Sequence, residues 1–296
     1  MNRLPSWFRQ DLPNADTLRT KLAILELGLN TVCQEAICPN INACFAKKQA
    51  AFIILGEFCT RKCRFCNAGM VGIASPRQGG ARNDEEDDEA ERIVEAVKTL
   101  GLSYVVITSV TRDDLEDGGA SQFVKVIELL RNTDKDIKVE VLIPDFQGNL
   151  QSLEEVVKAC PFVLAHNLET VKRLYSEVRP EADYQRSLDL LKKAKELSGG
   201  LITKSSLMLG LGENEEEVIT ALEDLRASGC AMVTLGQYLA PSSAHYPVKE
   251  FISPERFKRY YNIGIELGFK KVLSEPKARS SYCAEELAGD SVLCMI

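Results

Sequence analysis

From residue 51 onward, short apolar runs alternate with stretches of helical periodicity, and this alternation constrains the fold more than any other feature. The runs occupy residues 51–55, 104–108, 139–143, 162–165, 202–209 and 232–235. They are nearly continuous rather than alternating, as expected for parallel strands buried on both faces. Between them Phe123, Val126, Ile127 and Leu130 recur at helical spacing, as do Val218, Ala221, Leu222 and Leu225. Leu190, Ala194 and Leu197 mark a further helical face. Asn214, with Glu217 three positions on, has the form of a helix start. Six βα units in series call for a parallel sheet with right-handed crossovers. An open doubly wound sheet and an incomplete (β/α) barrel both satisfy the pattern. In either, functional groups gather at the carboxyl ends of the strands. The pattern divides the chain into an amino-terminal extension (1–48), a βα core (49–268) and a carboxy-terminal tail (269–296). Trp7 and Phe8 are suited to staple the extension to the core.

The net charge of −7 argues against broad binding to nucleic acid or to a membrane surface. No apolar run is long enough to span a bilayer. The first residues, interrupted by Pro5 and Pro13, lack the apolar stretch of a signal peptide and the arginines of a transit segment. These features point to the cytoplasm. The acidic run at 84–91 reads as a solvated helix start, because acidic side chains favour the positive end of the helix dipole.

In a reducing compartment ten cysteines are metal ligands or catalytic groups sooner than disulfides. Six fall within the 34 residues from Cys33 to Cys66, whereas Cys160, Cys230, Cys283 and Cys294 are scattered. Cys59, Cys63 and Cys66 follow the first strand directly with the spacing C-x3-C-x2-C. Three thiolates on one short loop bind three irons of a 4Fe–4S cube and leave the fourth open. An open iron can chelate the amino and carboxylate groups of S-adenosylmethionine (SAM), and an electron passed to the sulfonium then gives a 5′-deoxyadenosyl radical. The protein's part is binding, orientation and exclusion of side reactions. Zinc would want a fourth Cys or His nearby, and a ferredoxin would supply a fourth cysteine locally. Upstream, Cys33, Cys38 and Cys44 have the spacing C-x4-C-x5-C. Inert buried thiols are the alternative there, but Pro39 among Gln34, Asn40 and Asn42 does not read as a packed apolar helix. A second cluster on the extension is the expectation.

The two cysteine motifs together resemble the lipoyl synthase family, and the resemblance runs over nearly the whole chain. It includes Thr111-Arg112-Asp113-Asp114-Leu115-Glu116-Asp117-Gly118-Gly119, Pro144-Asp145-Phe146, His166-Asn167-Leu168-Glu169, Val178-Arg179-Pro180, Thr203-Lys204-Ser205, Gly210-Leu211-Gly212-Glu213, Leu235-Gly236-Gln237-Tyr238-Leu239 and Arg279-Ser280-Ser281-Tyr282. The resemblance implies an α/β fold, a partial (β/α)6 TIM-like barrel whose amino- and carboxy-terminal extensions carry an auxiliary cluster. Members of the family insert two sulfur atoms, at carbons six and eight, into an octanoyl chain attached to a lysine of a lipoyl domain or glycine-cleavage H protein. Two SAM molecules are consumed, and the auxiliary 4Fe–4S cluster is dismantled as the sulfur source. By analogy Cys59, Cys63 and Cys66 bind the first cluster, and Cys33, Cys38, Cys44 and one terminal serine bind the second. Ser281 is chosen over Ser280, which the sequence itself leaves open. An alkoxide is a harder ligand than a thiolate and holds a soft centre less firmly, which suits a cluster that must lose sulfur. The implied partners are an electron donor such as ferredoxin or flavodoxin and an iron–sulfur carrier that rebuilds the cluster. A monomer is the expectation, on which the sequence itself is silent.

Position at or just beyond the strand ends suggests Thr108, Ser109, Asn167, Glu169, Gln237 and Leu239 as SAM contacts, joined by Phe65, which lies between two cysteines of the loop, and Arg179. Glu169 suits the amino group or ribose, Arg179 the carboxylate by a charge-assisted pair, and the Phe65 backbone the adenine. Asn167 reads equally as a turn residue and Arg179 as a structural ion pair. Gly210 and Gly212 suit either an anion cradle or a plain tight turn. Of the two histidines, His166 lies in a family block and His245 does not. Two departures stand out: Cys283 where the family often has His, and Asn67 where it commonly has Asp. The rival readings are a sulfur inserter of the biotin-synthase or methylthiotransferase kind, and a non-catalytic iron–sulfur electron carrier.

Overall fold

The structure, a computed structural model, describes residues 4–8, 12–68 and 83–289. The chain forms two compact units, one built from residues 11–61 and 67–162, the other from 1–10, 62–66 and 163–296. Cys294 lies outside the described residues.

The first unit opens with α1 (Ala15–Glu26), started by a reciprocal capping box between Asn14 and Thr17. There follow β1 (Asn30–Thr31), the short helices α2 (Val32–Glu35) and α3 (Ile41–Ala46), and β2 (Ala51–Ile54). The unit continues with α4 (Asn83–Leu100), β3 (Tyr104–Ser109), α5 (Ala120–Thr133), β4 (Lys138–Leu142) and α6 (Leu150–Lys158). Strands β2, β3 and β4 pair in parallel in chain order, with Ala51 opposite Val106 and Tyr104 opposite Lys138. β1 runs antiparallel to β2. β2 is buried throughout and β3 is buried except at Ser109, which explains their continuous apolar character. Helix α5 buries Phe123, Val126, Ile127 and Leu130, the face its periodicity marks. The acidic run forms the start of α4, but Glu89 turns inward and is buried.

The second unit contains β5 (Val163–Ala165), α7 (Tyr175–Val178), α8 (Tyr184–Leu197), β6 (Ile202–Leu209) and α9 (Glu215–Ala227). It continues with β7 (Met232–Gln237), α10 (Pro254–Glu266), β8 (Lys271–Ser274) and α11 (Ala284–Ala288). β5 to β8 pair in parallel in chain order. Leu207, Val233 and Leu235 from the strands pack with Leu191, Leu222 and Phe257 from the helices. Asn214 caps α9 through the Glu217 capping box its spacing foretold. Phe8 is buried and meets Phe251 edge-on at 6.4 Å, while Trp7 stays exposed.

All six strands expected from the apolar runs are present. β1 and β8 add two that the runs did not reveal. Among the described residues no helix is long and apolar enough to cross a membrane.

Candidate active site

The chain leaves β2 through two consecutive left-handed residues, Leu55 at φ 68° and Gly56 at φ 76°. A leucine there is strained, and the turn is held from outside: the Leu55 N–H donates to the buried Glu89 carboxylate at 2.9 Å. Burial pushes the Glu89 pKa up, opposed by the backbone N–H groups of Leu55 and Gly56. Gly119, at φ 88°, holds a left-handed conformation that favours glycine, and a Cβ there would push the end of the Leu55 side chain aside. Cys59, half-buried, comes next. Thr60 donates its N–H and hydroxyl to the Thr111 carbonyl at 2.9 and 3.0 Å and accepts the Asp113 N–H at 3.0 Å. Arg61 is buried and grips two carboxylates. Its Nε and one Nη2 hydrogen reach Asp113 at 2.7 and 2.9 Å, and Nη2 also reaches Asp145 at 2.5 Å. The blocks at 111–119 and 144–146 therefore frame the cysteine loop.

The upstream trio lies in the same unit. Cys33 is buried in α2, where desolvation pushes its thiol up to about 11. Cys38 and Cys44 are half-buried, and their N–H groups bond to the carbonyls of Cys33 and Asn40 at 3.1 and 2.9 Å. Asn67 donates its side-chain amide to the Glu35 carbonyl at 2.6 Å. Glu35 ends α2, where carbonyls lack intrahelical partners. An aspartate could not donate, so this departure from the family pattern has a local use. At the end of β3, Thr108 donates to the Leu142 carbonyl at 2.9 Å, whereas the buried Ser109 hydroxyl has no partner among the described residues.

In the second unit, the segment carrying Cys63 and Cys66 is pinned along its backbone. The Lys62 N–H meets Glu181 at 3.1 Å, the Arg64 N–H meets the Val178 carbonyl at 2.9 Å, and the Tyr246 N–H meets the Arg64 carbonyl at 2.7 Å. The Arg64 guanidinium also lies over the Tyr246 ring, 5.2 Å from its centroid, and Phe65 packs against the core. His245 Nε2 lies 3.2 Å from the Cys66 carbonyl oxygen, and Nδ1 lies 2.8 Å from the Ser242 hydroxyl. His166 instead is buried against the Ser187 hydroxyl at 3.0 Å. The histidine beside a cysteine of the loop is thus the one outside the family blocks.

Beyond β5, Asn167, Glu169 and Arg179 come together. Asn167 Nδ2 donates to Glu169 Oε1 at 2.9 Å, and Arg179 Nη1 donates to the carbonyls of Asn167 and Leu168 at 3.0 Å each. Burial pushes the Glu169 carboxyl up, and the Arg179 charge opposes it. Glu169 sits at φ 66°, a strained position for a non-glycine residue. Gln237 is wholly buried. Its Nε2 donates to the carbonyls of Leu209, Tyr238 and Glu250, and its Oε1 accepts the Ile252 N–H. That amide is committed to the backbone, while Leu239 two residues on is half-buried. The N–H groups of Gly210 and Leu211 point at the Glu213 carboxylate at 2.5 and 2.9 Å, so the turn supplies its own anion.

The tail is laid along the end of β7. The Glu275 N–H bonds to the Leu235 carbonyl and the Gln237 N–H to the Pro276 carbonyl. A Cβ on Gly236 would stand 1.9 Å from the Ala278 carbonyl oxygen, so only glycine permits this approach. Ser280 donates its hydroxyl to Asn167 Oδ1 at 3.0 Å. Ser281 is half-buried, and its hydroxyl has no hydrogen-bond partner among the described residues. Cys283, at φ 50°, precedes α11.

The donor set of Cys59, Cys63 and Cys66 suits a 4Fe–4S cluster. Two trios of uncrosslinked cysteines are present, one on the segment 59–66 and the other on α2, the turn after it and α3. Among the described residues no three His, Cys, Asp or Glu side chains converge on one metal ion. A cubane spreads its thiolates over separate irons rather than gathering them at a point.

Residues 53–225 match the Radical SAM superfamily. A chain whose first parallel strand runs into a C-x3-C-x2-C loop is, in class, a radical SAM enzyme, and that membership implies SAM and one 4Fe–4S cluster. The fold is similar to that of coproporphyrinogen III oxidase from Escherichia coli, with a TM-score of 0.53 at 18% identity over 72% of this chain and 51% of that one. The lipoyl synthase of Caldicellulosiruptor saccharolyticus is 51% identical over 95% of this chain and 96% of its own. That of Aquifex aeolicus is 55% identical over 87% and 90%. The chain belongs to the lipoyl synthase family of the radical SAM superfamily.

Proposed function

We propose that this enzyme inserts two sulfur atoms, at carbons six and eight, into an octanoyl chain on a lysine of a lipoyl domain or glycine-cleavage H protein. The sulfur donor in this reading is an auxiliary 4Fe–4S cluster held by Cys33, Cys38, Cys44 and Ser281. The observation that carries the reading is the presence of both uncrosslinked cysteine trios in a chain half identical to lipoyl synthases.

Cys59, Cys63 and Cys66 would hold a 4Fe–4S cluster, which would supply the electron for reductive cleavage of SAM. The chain's own residues do the rest. Arg61, clamped by Asp113 and Asp145, holds the Cys59 loop. Glu169 accepts hydrogen bonds from the SAM amino group or ribose, and Arg179 offers charge to its carboxylate. Phe65 presents backbone to the adenine, and Thr108, Ser109, Asn167 and Leu239 line the approach. Gln237 acts at one remove, by holding the turn after β7. Between the two terminal serines, Ser281 is favoured as ligand because Ser280 is already engaged by Asn167. The extension 1–48 and the tail 269–296 then share the auxiliary cluster, around a core of 49–268. The enzyme works in the cytoplasm as a monomer, reduced by a donor such as ferredoxin or flavodoxin and resupplied by an iron–sulfur carrier.

Iron counting tests the two-cluster reading. Anaerobically reconstituted protein is expected to hold about eight irons, as two cubes require. The triple variant Cys33→Ala, Cys38→Ala, Cys44→Ala is expected to hold about four and still cleave SAM reductively. Equal iron in the two proteins would refute it.

A further inference from the structure

Both ends of one buried amide are engaged, and they face in different functional directions. Asn167 Nδ2 donates to Glu169 Oε1 at 2.9 Å, and Asn167 Oδ1 accepts the Ser280 hydroxyl at 3.0 Å. An amide oxygen only accepts and an amide nitrogen only donates. With Nδ2 turned to a carboxylate, Oδ1 must face a donor, and the tail supplies it through Ser280. The Asn167 backbone is fixed as well, since its carbonyl accepts from Arg179 at 3.0 Å. Up to Ala278 the tail rests on β7 through main-chain bonds and the Gly236 approach. Ser280 adds a side-chain tether beyond that point.

We propose that Ser280 is a positioning residue that couples the seating of the carboxy-terminal tail to occupancy of the site at Glu169. This rests on the reading of Glu169 as a SAM contact and of Ser281 as a cluster ligand. A ligand that hydrogen-bonds the Glu169 carboxylate fixes its orientation, hence that of the Asn167 amide, hence the acceptor that Ser280 meets. By linkage the effect is reciprocal: a seated tail favours SAM, and SAM seats the tail that bears Ser281. The first serine of the terminal pair thus positions the second.

The test uses reconstituted holoenzyme and two readouts: SAM affinity by calorimetry, and amide hydrogen exchange of residues 277–289 with and without SAM. In wild type, SAM is expected to slow exchange in the tail. Ser280→Ala is expected to bind SAM about fivefold more weakly, the worth of one hydrogen bond, and to lose the SAM-induced protection. Ser280→Thr keeps a hydroxyl and is expected to restore both, which separates the tether from a general folding defect. Ser281→Ala is expected to lose auxiliary iron but keep the SAM-linked protection. Ser280→Ala with wild-type affinity and wild-type protection overturns the coupling while leaving Glu169 in place, provided Glu169→Gln weakens SAM binding. If Glu169→Gln binds SAM normally, the assignment of Glu169 falls and the coupling falls with it.

Discussion

Replacing Arg61 by methionine isolates the clamp that shapes the cysteine loop. The Arg61 side chain is 5% exposed, that of Asp145 is 1% exposed and that of Asp113 is 23% exposed. Methionine has similar bulk but no charge, so the substitution leaves the Asp145 carboxylate buried without its cation. Removing one partner of a buried ion pair typically costs about 3–5 kcal/mol, because the remaining charge is uncompensated. Asp113 reaches solvent and adds little, on the order of 0–1 kcal/mol. Arg61→Lys keeps the charge but cannot fork to two carboxylates, and a loss of about 1–3 kcal/mol is expected. The double variant Arg61→Met, Asp145→Asn removes the orphaned charge and should recover a large part of the loss. Urea unfolding of the reduced, metal-free protein, followed by circular dichroism, measures all four proteins on one scale. The reasoning is refuted if Arg61→Met lies within about 1 kcal/mol of wild type, the range of an exposed pair, or if the double variant is no more stable than Arg61→Met.

Gly236→Ala should force a Cβ into the Ala278 carbonyl and lift the tail. Losing the two main-chain bonds at Glu275 and Gln237 costs about 2 kcal/mol, measurable as a lower Tm together with reduced auxiliary iron. Asn67→Asp turns a donor into an acceptor facing the Glu35 carbonyl, with an expected loss of about 1–3 kcal/mol in urea unfolding. Burial raises the folded-state pKa of Glu89 above its ordinary 4.5, so the folded state binds a proton the unfolded state has released. Its stabilising contribution is therefore full below pH 4.5 and declines as pH rises through the folded value. Glu89→Gln should remove that decline, seen as a flatter stability-against-pH curve than wild type, and identical slopes would count against it.

The six strands β2 to β7 were legible because burial on both faces leaves runs that are mostly apolar, although β4 and β6 also bury Glu140 and Thr203-Lys204-Ser205. β1 has only two residues and no period to read. β8 is part exposed and part buried, and its only apolar residues are Val272 and Leu273, flanked by Lys271 and Ser274. The cysteine trios were legible from spacing alone, since the members of each trio lie close together in sequence. What braces them was not, because ion pairs between Arg61 and residues 52 and 84 positions away leave no local signature. Glu89 was hidden in an acidic run whose other members gave it a solvated look. His245 carried no motif, and only the fold sets it beside the Cys66 carbonyl. Gln237 stood at a strand end, where a ligand contact and a backbone brace look alike in sequence. The structure shows the brace.

The most direct test of the central claim is anaerobic: reconstituted protein, SAM, a strong reductant and an octanoyl-lysine peptide, with the peptide weighed by mass spectrometry. The account predicts replacement of two hydrogens by two sulfurs. An unchanged peptide with 5′-deoxyadenosine still formed would contradict it, leaving radical SAM chemistry directed at another substrate.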